Sequence, residues 1–185
     1  FAALPDMFER TVTVSSAGQT FSITGWQTGW CVGPEHLIRP IQLLLPFVQF
    51  CAATPMQQAL SRVLTLADQP YEGHASYYEW LCAMYRRKRE VLVGAIGRAG
   101  LQPVAGQGGF FLMADTSALE VPNEFLKAST PAAPVMTRDW ALCRWLALEA
   151  GVVAIPASPF FSLENRHLGA NHIRLAFCKS DATLI

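Results

Sequence analysis

The chain has 185 residues, of which 51% are hydrophobic, 15% charged and 11% aromatic. That length suits one domain or a domain and a half at roughly 100–200 residues per domain, and the composition excludes intrinsic disorder. Fourteen basic residues balance fourteen acidic ones, which argues against a nucleic-acid partner, because such binders carry a basic excess or stripe.

Arg10-Thr-Val-Thr-Val14 alternates polar and β-branched apolar residues, which predicts a strand. It runs into Ser15-Ser-Ala-Gly18, a small-residue loop whose backbone amides are free to point at an anion. Gly33-Pro34 marks a turn, and Pro34-Glu35-His36-Leu37-Ile38 opens a short helix with proline suited to its first turn. Thr54 then reads as an N-cap with Pro55 at the first helical position. Met56, Ala59, Leu60, Val63, Leu64 and Ala67 follow at three-and-four spacing, so this helix has one buried face.

A longer helix is predicted over about residues 72–99, closed by Gly100. Its Arg86-Arg87-Lys88-Arg89 run is expected to lie mostly in solvent. Helices of such length often bridge subdomains, so a boundary is placed within it, between residues 1–85 and 86–185. Leu101–Val104 and Phe110–Asp115 read as strands around a β-turn at Gly106-Gln-Gly-Gly109. Residues 116–137 read as an extended surface connection. Arg138–Ala150 is amphipathic through Ala141, Leu142, Trp145, Leu146 and Leu148, and Gly151 closes it. Val152–Ile155 and Ile173–Cys178 are predicted strands.

Five cysteines without a Cys-x-x-Cys pair, each in an apolar setting, read as small buried hydrophobes in a reducing compartment. That favours the cytoplasm, with the mitochondrion as the alternative. The four histidines lack metal-ligand spacing, so no metal site is expected. The most apolar stretch, Ile41–Phe50, is half the ~20 residues a spanning helix needs and is interrupted by Pro46, so no membrane role is expected. Phe1 at the start, and Ser180-Asp181-Ala-Thr read as a helix start just before the end, suggest that both ends are cut.

Gly106-Gln-Gly-Gly109 lacks the spacing of a nucleotide-binding loop, and neither a G-x-S-x-G elbow nor a Ser-x-x-Lys motif occurs. Arg174 stands out as the one charge in an apolar strand. It must face solvent or an anion, and spacing alone favours a structural ion pair over a ligand carboxylate.

Ser16-Ala-Gly-Gln-Thr-Phe-Ser-Ile-Thr-Gly-Trp-Gln-Thr-Gly-Trp30 closely resembles the segment of fold-type I pyridoxal-phosphate aminotransferases reading S-x-G-K-T-F-S-x-T-G-W-K-x-G-W. The match is best with the kynurenine aminotransferase family, also called glutamine transaminase K or cysteine-S-conjugate β-lyase. Ala53-Thr54-Pro55, Gln107–Leu112, Gly151–Ser158 and His172–Phe177 follow in the family's order, so the resemblance spans essentially the whole chain.

The resemblance implies an α/β fold: the C-terminal part of the large cofactor domain (residues 1–85, a sheet edge plus helices) joined by a long helix to a small C-terminal α/β domain (86–185) whose last helix is truncated. The family's N-terminal half, with further cofactor ligands, is not expected within these residues. The resemblance implies a homodimer when full length, with amino acid and 2-oxo acid as substrates. Its activity would be transfer of the amino group of an aromatic, glutamine-like or kynurenine-type amino acid to a 2-oxo acid.

Site residues carry over position by position. The family's Schiff-base lysine is Gln19 here, and the lysine or arginine that holds the cofactor phosphate is Gln27. Ser16 matches the phosphate-contacting serine, and Arg174 matches the arginine that clamps the substrate carboxylate. An amide nitrogen is neither nucleophile nor base at neutral pH, and none of Lys88, Lys127 and Lys179 sits at a matching position. Residues 1–185 alone are therefore expected to be inactive. A non-catalytic binding or dimerisation module on the same fold is the alternative.

Overall fold

The structure is a computed structural model that describes residues 1–104 and 106–184. Its contacts divide the chain into two units, Phe1–Tyr78 and Glu79–Ile185. The division falls near the start of the long helix, and the boundary expected at 85/86 lies farther along it.

In the first unit, strand β1 (Thr13–Ser16) pairs antiparallel with β2 (Gly29–Val32), with Thr13 opposite Val32 and Ser16 opposite Gly29. The strand therefore lies later than Arg10–Val14, because Phe8–Arg10 is drawn into a 3-10 turn; the Thr11 hydroxyl donates to the Met7 carbonyl at 2.6 Å. Between the strands run helix α1 (Ala17–Thr20) and a 3-10 turn, Thr24–Trp26. A Cβ on Gly29 would lie 2.6 Å from the Ser15 carbonyl oxygen, so the last rung of this ribbon requires bare backbone.

Helix α2 (Glu35–Val48) runs far beyond the short helix expected at Pro34–Ile38. Pro40 and Pro46 lie inside it, and a proline removes one hydrogen bond and kinks a helix without having to end it. None of its residues is buried, and Phe47 is 88% exposed. Helix α3 (Thr54–Ala67) starts one residue before expectation. Ala53 is the cap, Thr54 the first helical residue and Pro55 the second, where the missing N–H is still one that would lack a helical partner. Of its expected apolar face only Leu60 and Ala67 are buried.

The buried apolar cluster lies in the second unit, where Ile96, Leu112, Leu142, Ile173 and Phe177 pack together. Helix α4 (Tyr77–Arg98) ends where glycine predicts: Gly100 has φ +77°, Leu101 N–H reaches the Ile96 carbonyl and Gly100 N–H that of Gly97, both at 3.1 Å. This double bond pattern is the Schellman stop. The basic run is less wet than expected. Arg87 and Lys88 pair with Asp181, Lys88 also donates to the Lys179 carbonyl, and Arg89 donates to the Gly106 carbonyl at 2.8 Å.

Strands β3 (Gln102–Val104), β4 (Phe111–Asp115), β5 (Ile155–Pro156) and β6 (His172–Ala176) form one antiparallel sheet in the order β3-β4-β6-β5. The strand expected at Val152–Ile155 shrinks to Ile155–Pro156, with Val152 and Val153 exposed. Residues 116–137 are not wholly extended surface. Helix α5 (Asn123–Lys127) forms there, Thr116 and Ala133 are buried, and Arg138 donates to the carbonyls of Thr116 (2.7 Å) and Leu119 (2.6 Å). Helix α6 (Arg138–Glu149) buries Ala141, Leu142 and Cys143 but exposes Leu148. A last turn, α7 (Asp181–Leu184), follows Ser180.

Of the five cysteines only Cys143 is buried; Cys31, Cys51, Cys82 and Cys178 are exposed. Apolar sequence neighbours on a helix or strand point to other faces, so a local apolar context does not bury a thiol. Among the described residues, no helix is long and apolar enough to cross a membrane, and no group of His, Cys, Asp or Glu could hold a metal ion.

Candidate functional site

The first unit gathers Ser16, Gln19 and Gln27 in one short segment. Ser16 leaves β1 in an extended conformation and caps α1, its hydroxyl accepting the Gly18 N–H at 3.1 Å. Ala17 is fully buried, and its N–H donates to the Thr28 carbonyl at 3.1 Å. Ile23 N–H closes on the Gly18 carbonyl at 2.9 Å, which folds the Thr24–Trp26 turn back onto α1. A Cβ on Gly18 would meet Thr24 Cα at 3.3 Å, so this approach favours glycine.

Gln19 projects from α1 and is exposed. Gln27 is exposed in the left-handed conformation, φ 49°, and its side-chain amide donates to the Thr24 carbonyl at 2.6 Å. Ser16 and Gln27 thus have local partners. Residues 1–78 contain no lysine at all. This donor set does not fit covalently held pyridoxal phosphate: it offers a hydroxyl and amides, but neither the amine nor the second cation that the resemblance implies.

Arg174 belongs to the second unit, on β6, opposite Met113 of β4 and Ile155 of β5. Alternation along β6 sends Ile173 and Leu175 to the apolar cluster, which turns Arg174 to the other face. There its guanidinium carbon lies 4.2 Å from the centroid of the Phe111 ring and 4.5 Å from that of Phe160. Its Nε is buried without a hydrogen-bond partner. The ion pair that spacing favoured is not formed: among the described residues no carboxylate lies within salt-bridge distance of Arg174. Two aromatic rings thus pack against a weakly hydrated planar cation.

Behind this site lies a buried carboxylate that sequence reading missed. Asp139, 0% exposed, accepts the Ser158 N–H at 2.7 Å through one oxygen and the Thr137 hydroxyl at 2.5 Å through the other. The available signal was Thr137-x-Asp139 at the start of α6, a pattern common at helix N-termini. Phe111 and Phe160 were also missed as site residues. Cys143, one turn beyond Asp139, has its thiol pushed up to about 12, first by burial and then by the Asp139 charge.

Comparison with known proteins agrees with the fold and the motif order. Residues 2–184 match the family Aminotransferase class I and II. The chain is 41% identical over all 185 residues to a kynurenine–oxoglutarate transaminase of Dictyostelium discoideum, covering 41% of that protein. It is 33% identical over 183 residues to human kynurenine–oxoglutarate transaminase 3, covering 99% of this chain and 39% of that one. A crystal structure from Escherichia coli, for which a methionine aminotransferase function was identified, superposes with a TM-score of 0.80 at 33% identity, covering 99% of this chain and 41% of that one. The chain thus spans about two-fifths of the length of the curated relatives it matches. It belongs to the class I and II aminotransferases.

Proposed function

We propose that this chain is the substrate-carboxylate-binding part of a kynurenine-type aminotransferase, and that these residues alone do not carry out transamination. The observation that carries the first half is Arg174: a guanidinium against which the rings of Phe111 and Phe160 both pack, with no carboxylate among the described residues to neutralise it. Leaving a buried donor unpaired costs roughly 1–3 kcal/mol, so folding alone does not favour an arginine at this position. The amino donor would be kynurenine-like, glutamine-like or aromatic and the acceptor a 2-oxo acid; the names of the curated relatives support kynurenine and oxoglutarate. Assembly as a homodimer and a cytoplasmic or mitochondrial setting belong to the same reading.

The second half rests on Gln19 and Gln27. The family depends on pyridoxal phosphate, which supplies an aldehyde and an electron sink when bound. A glutamine amide cannot condense with that aldehyde, and a neutral amide cannot balance the phosphate charge. Gln19→Lys with Gln27→Lys, joined to the N-terminal half of a close relative, should regain cofactor absorbance and some transamination. Gln19→Lys alone should recover less, because one charge-assisted hydrogen bond is worth roughly 1.5–3 kcal/mol, or about ten- to a hundredfold in affinity. A folded double-reversion chimera that bound no cofactor would instead favour a non-catalytic binding module.

A further inference from the structure

We propose that Asp139 is a positioning residue for the Arg174 site: its buried carboxylate fixes the turn that holds Phe160 over the guanidinium. The inference rests on the reading of Arg174 as a carboxylate-binding group. Four contacts converge on that turn. Asp139 accepts the Ser158 N–H at 2.7 Å, at the first residue of the 3-10 turn Ser158–Phe160. Phe160 N–H closes on the Ala157 carbonyl at 3.0 Å, so the ring's position follows from where Ala157 and Ser158 are held. Ala157 N–H is tied to the His172 carbonyl of β6 at 3.3 Å, two residues from Arg174 itself. Gly169 packs against the same backbone so closely that a Cβ there would lie 2.7 Å from Ser158 N.

Asp139 is fully buried and joined by no salt bridge among the described residues. A buried carboxylate without a cation is a costly way to fill an interior position unless its hydrogen bonds fix something specific. What they fix here is Ser158 from one side and Thr137 from the other. The Thr137 hydroxyl also lies 3.4 Å from the Ser158 hydroxyl, which closes a ring of three residues through the Ser158 backbone N–H. Phe160 itself is 58% exposed. Its own packing therefore supplies little of its orientation, and the turn beneath it supplies the rest.

The test follows the Arg174 Nε–H resonance of the full chain by NMR, alone and during titration with 3-phenylpropionate. With Phe160 in place the proton is expected upfield, under the ring. Phe160→Ala should remove that part of the shift and weaken 3-phenylpropionate binding by about three- to tenfold. Asp139→Ala should reproduce both effects, and the double variant should lose no more than Phe160→Ala alone. Thr137→Val, which removes the hydroxyl that holds Asp139 and its longer contact with the Ser158 hydroxyl while keeping the side-chain shape, should shift the resonance in the same direction by less, and it keeps the test decisive where Asp139→Ala does not fold. A wild-type Arg174 resonance in folded Asp139→Ala or in Thr137→Val, or losses that multiply in the double variant, would overturn the proposal. If 3-phenylpropionate leaves Arg174 unmoved in the wild type, the carboxylate reading fails, while the resonance positions still decide the role of Asp139.

Discussion

Arg174 and Phe111 sit on adjacent antiparallel strands, and the guanidinium carbon of one lies 4.2 Å from the ring centroid of the other. Stacking of this kind is worth about 0.5–2 kcal/mol, whereas a buried unpaired donor costs about 1–3 kcal/mol. Phe160, more than half exposed, adds a second and weaker stack, and gain and cost still nearly cancel, so Arg174 contributes little to folding. Arg174→Leu should leave the unfolding free energy in urea within about 1 kcal/mol of wild type, or raise it, while abolishing 3-phenylpropionate binding as read by calorimetry. A loss above about 3 kcal/mol would mean that Arg174 serves the fold instead.

The thiols differ in reactivity by position. Cys143 is buried and its thiol is pushed up to about 12, so it holds almost no thiolate at pH 8. Iodoacetamide at pH 8 should label Cys31, Cys51, Cys82 and Cys178 in the native chain and spare Cys143, as read by peptide mass spectrometry. Denaturation should bring Cys143 up to the others. Native labelling of Cys143 at a comparable rate would show that the cluster around α6 opens readily.

Much of the second unit was legible because its signals are local. Gly100 and Gly151, both at positive φ, close their helices as the sequence predicts, and β3 pairs antiparallel with β4. The first unit was less legible. Pro46 reads as an interruption, yet α2 continues to Val48, and the β1 strand slips toward Ser16 because the preceding residues make a turn of their own. In the site, Arg174 announced itself by charge in an apolar strand. Phe111 and Phe160 did not, since an aromatic ring in a strand or beside a proline looks like core until its neighbour is known. Asp139 lies in the first turn of a helix, where an acid is ordinary, and only its partner nineteen positions on, Ser158, shows what it holds.

Asp181 anchors the last helical turn electrostatically. Hydrogen bonds from Arg87 and then Lys88 hold its carboxyl below the usual 3.8. A group lowered on folding stabilises the folded state above its unfolded value, and that contribution disappears as pH falls through the folded one. Protection of the Thr183 amide, bonded to the Ser180 carbonyl at 3.0 Å, should therefore be flat above pH 3.8 and decline below it. Asp181→Asn should lower protection at neutral pH and remove the acid decline. Added salt should weaken the wild-type anchor, since Arg87 and Asp181 are both more than half exposed. Salt-independent protection would assign the anchor to Leu184 burial alone.

On the proposed reading, the chain keeps a carboxylate-binding arginine on an aminotransferase fold but lacks the amine for covalent cofactor attachment. Incubation of the 185-residue chain with pyridoxal phosphate, borohydride reduction and peptide mapping tests it most directly. The expected result is no label at Gln19, only substoichiometric labelling scattered over Lys88, Lys127 and Lys179, and no transamination. A stoichiometric adduct on one residue, accompanied by turnover of an amino acid with a 2-oxo acid, would contradict the account.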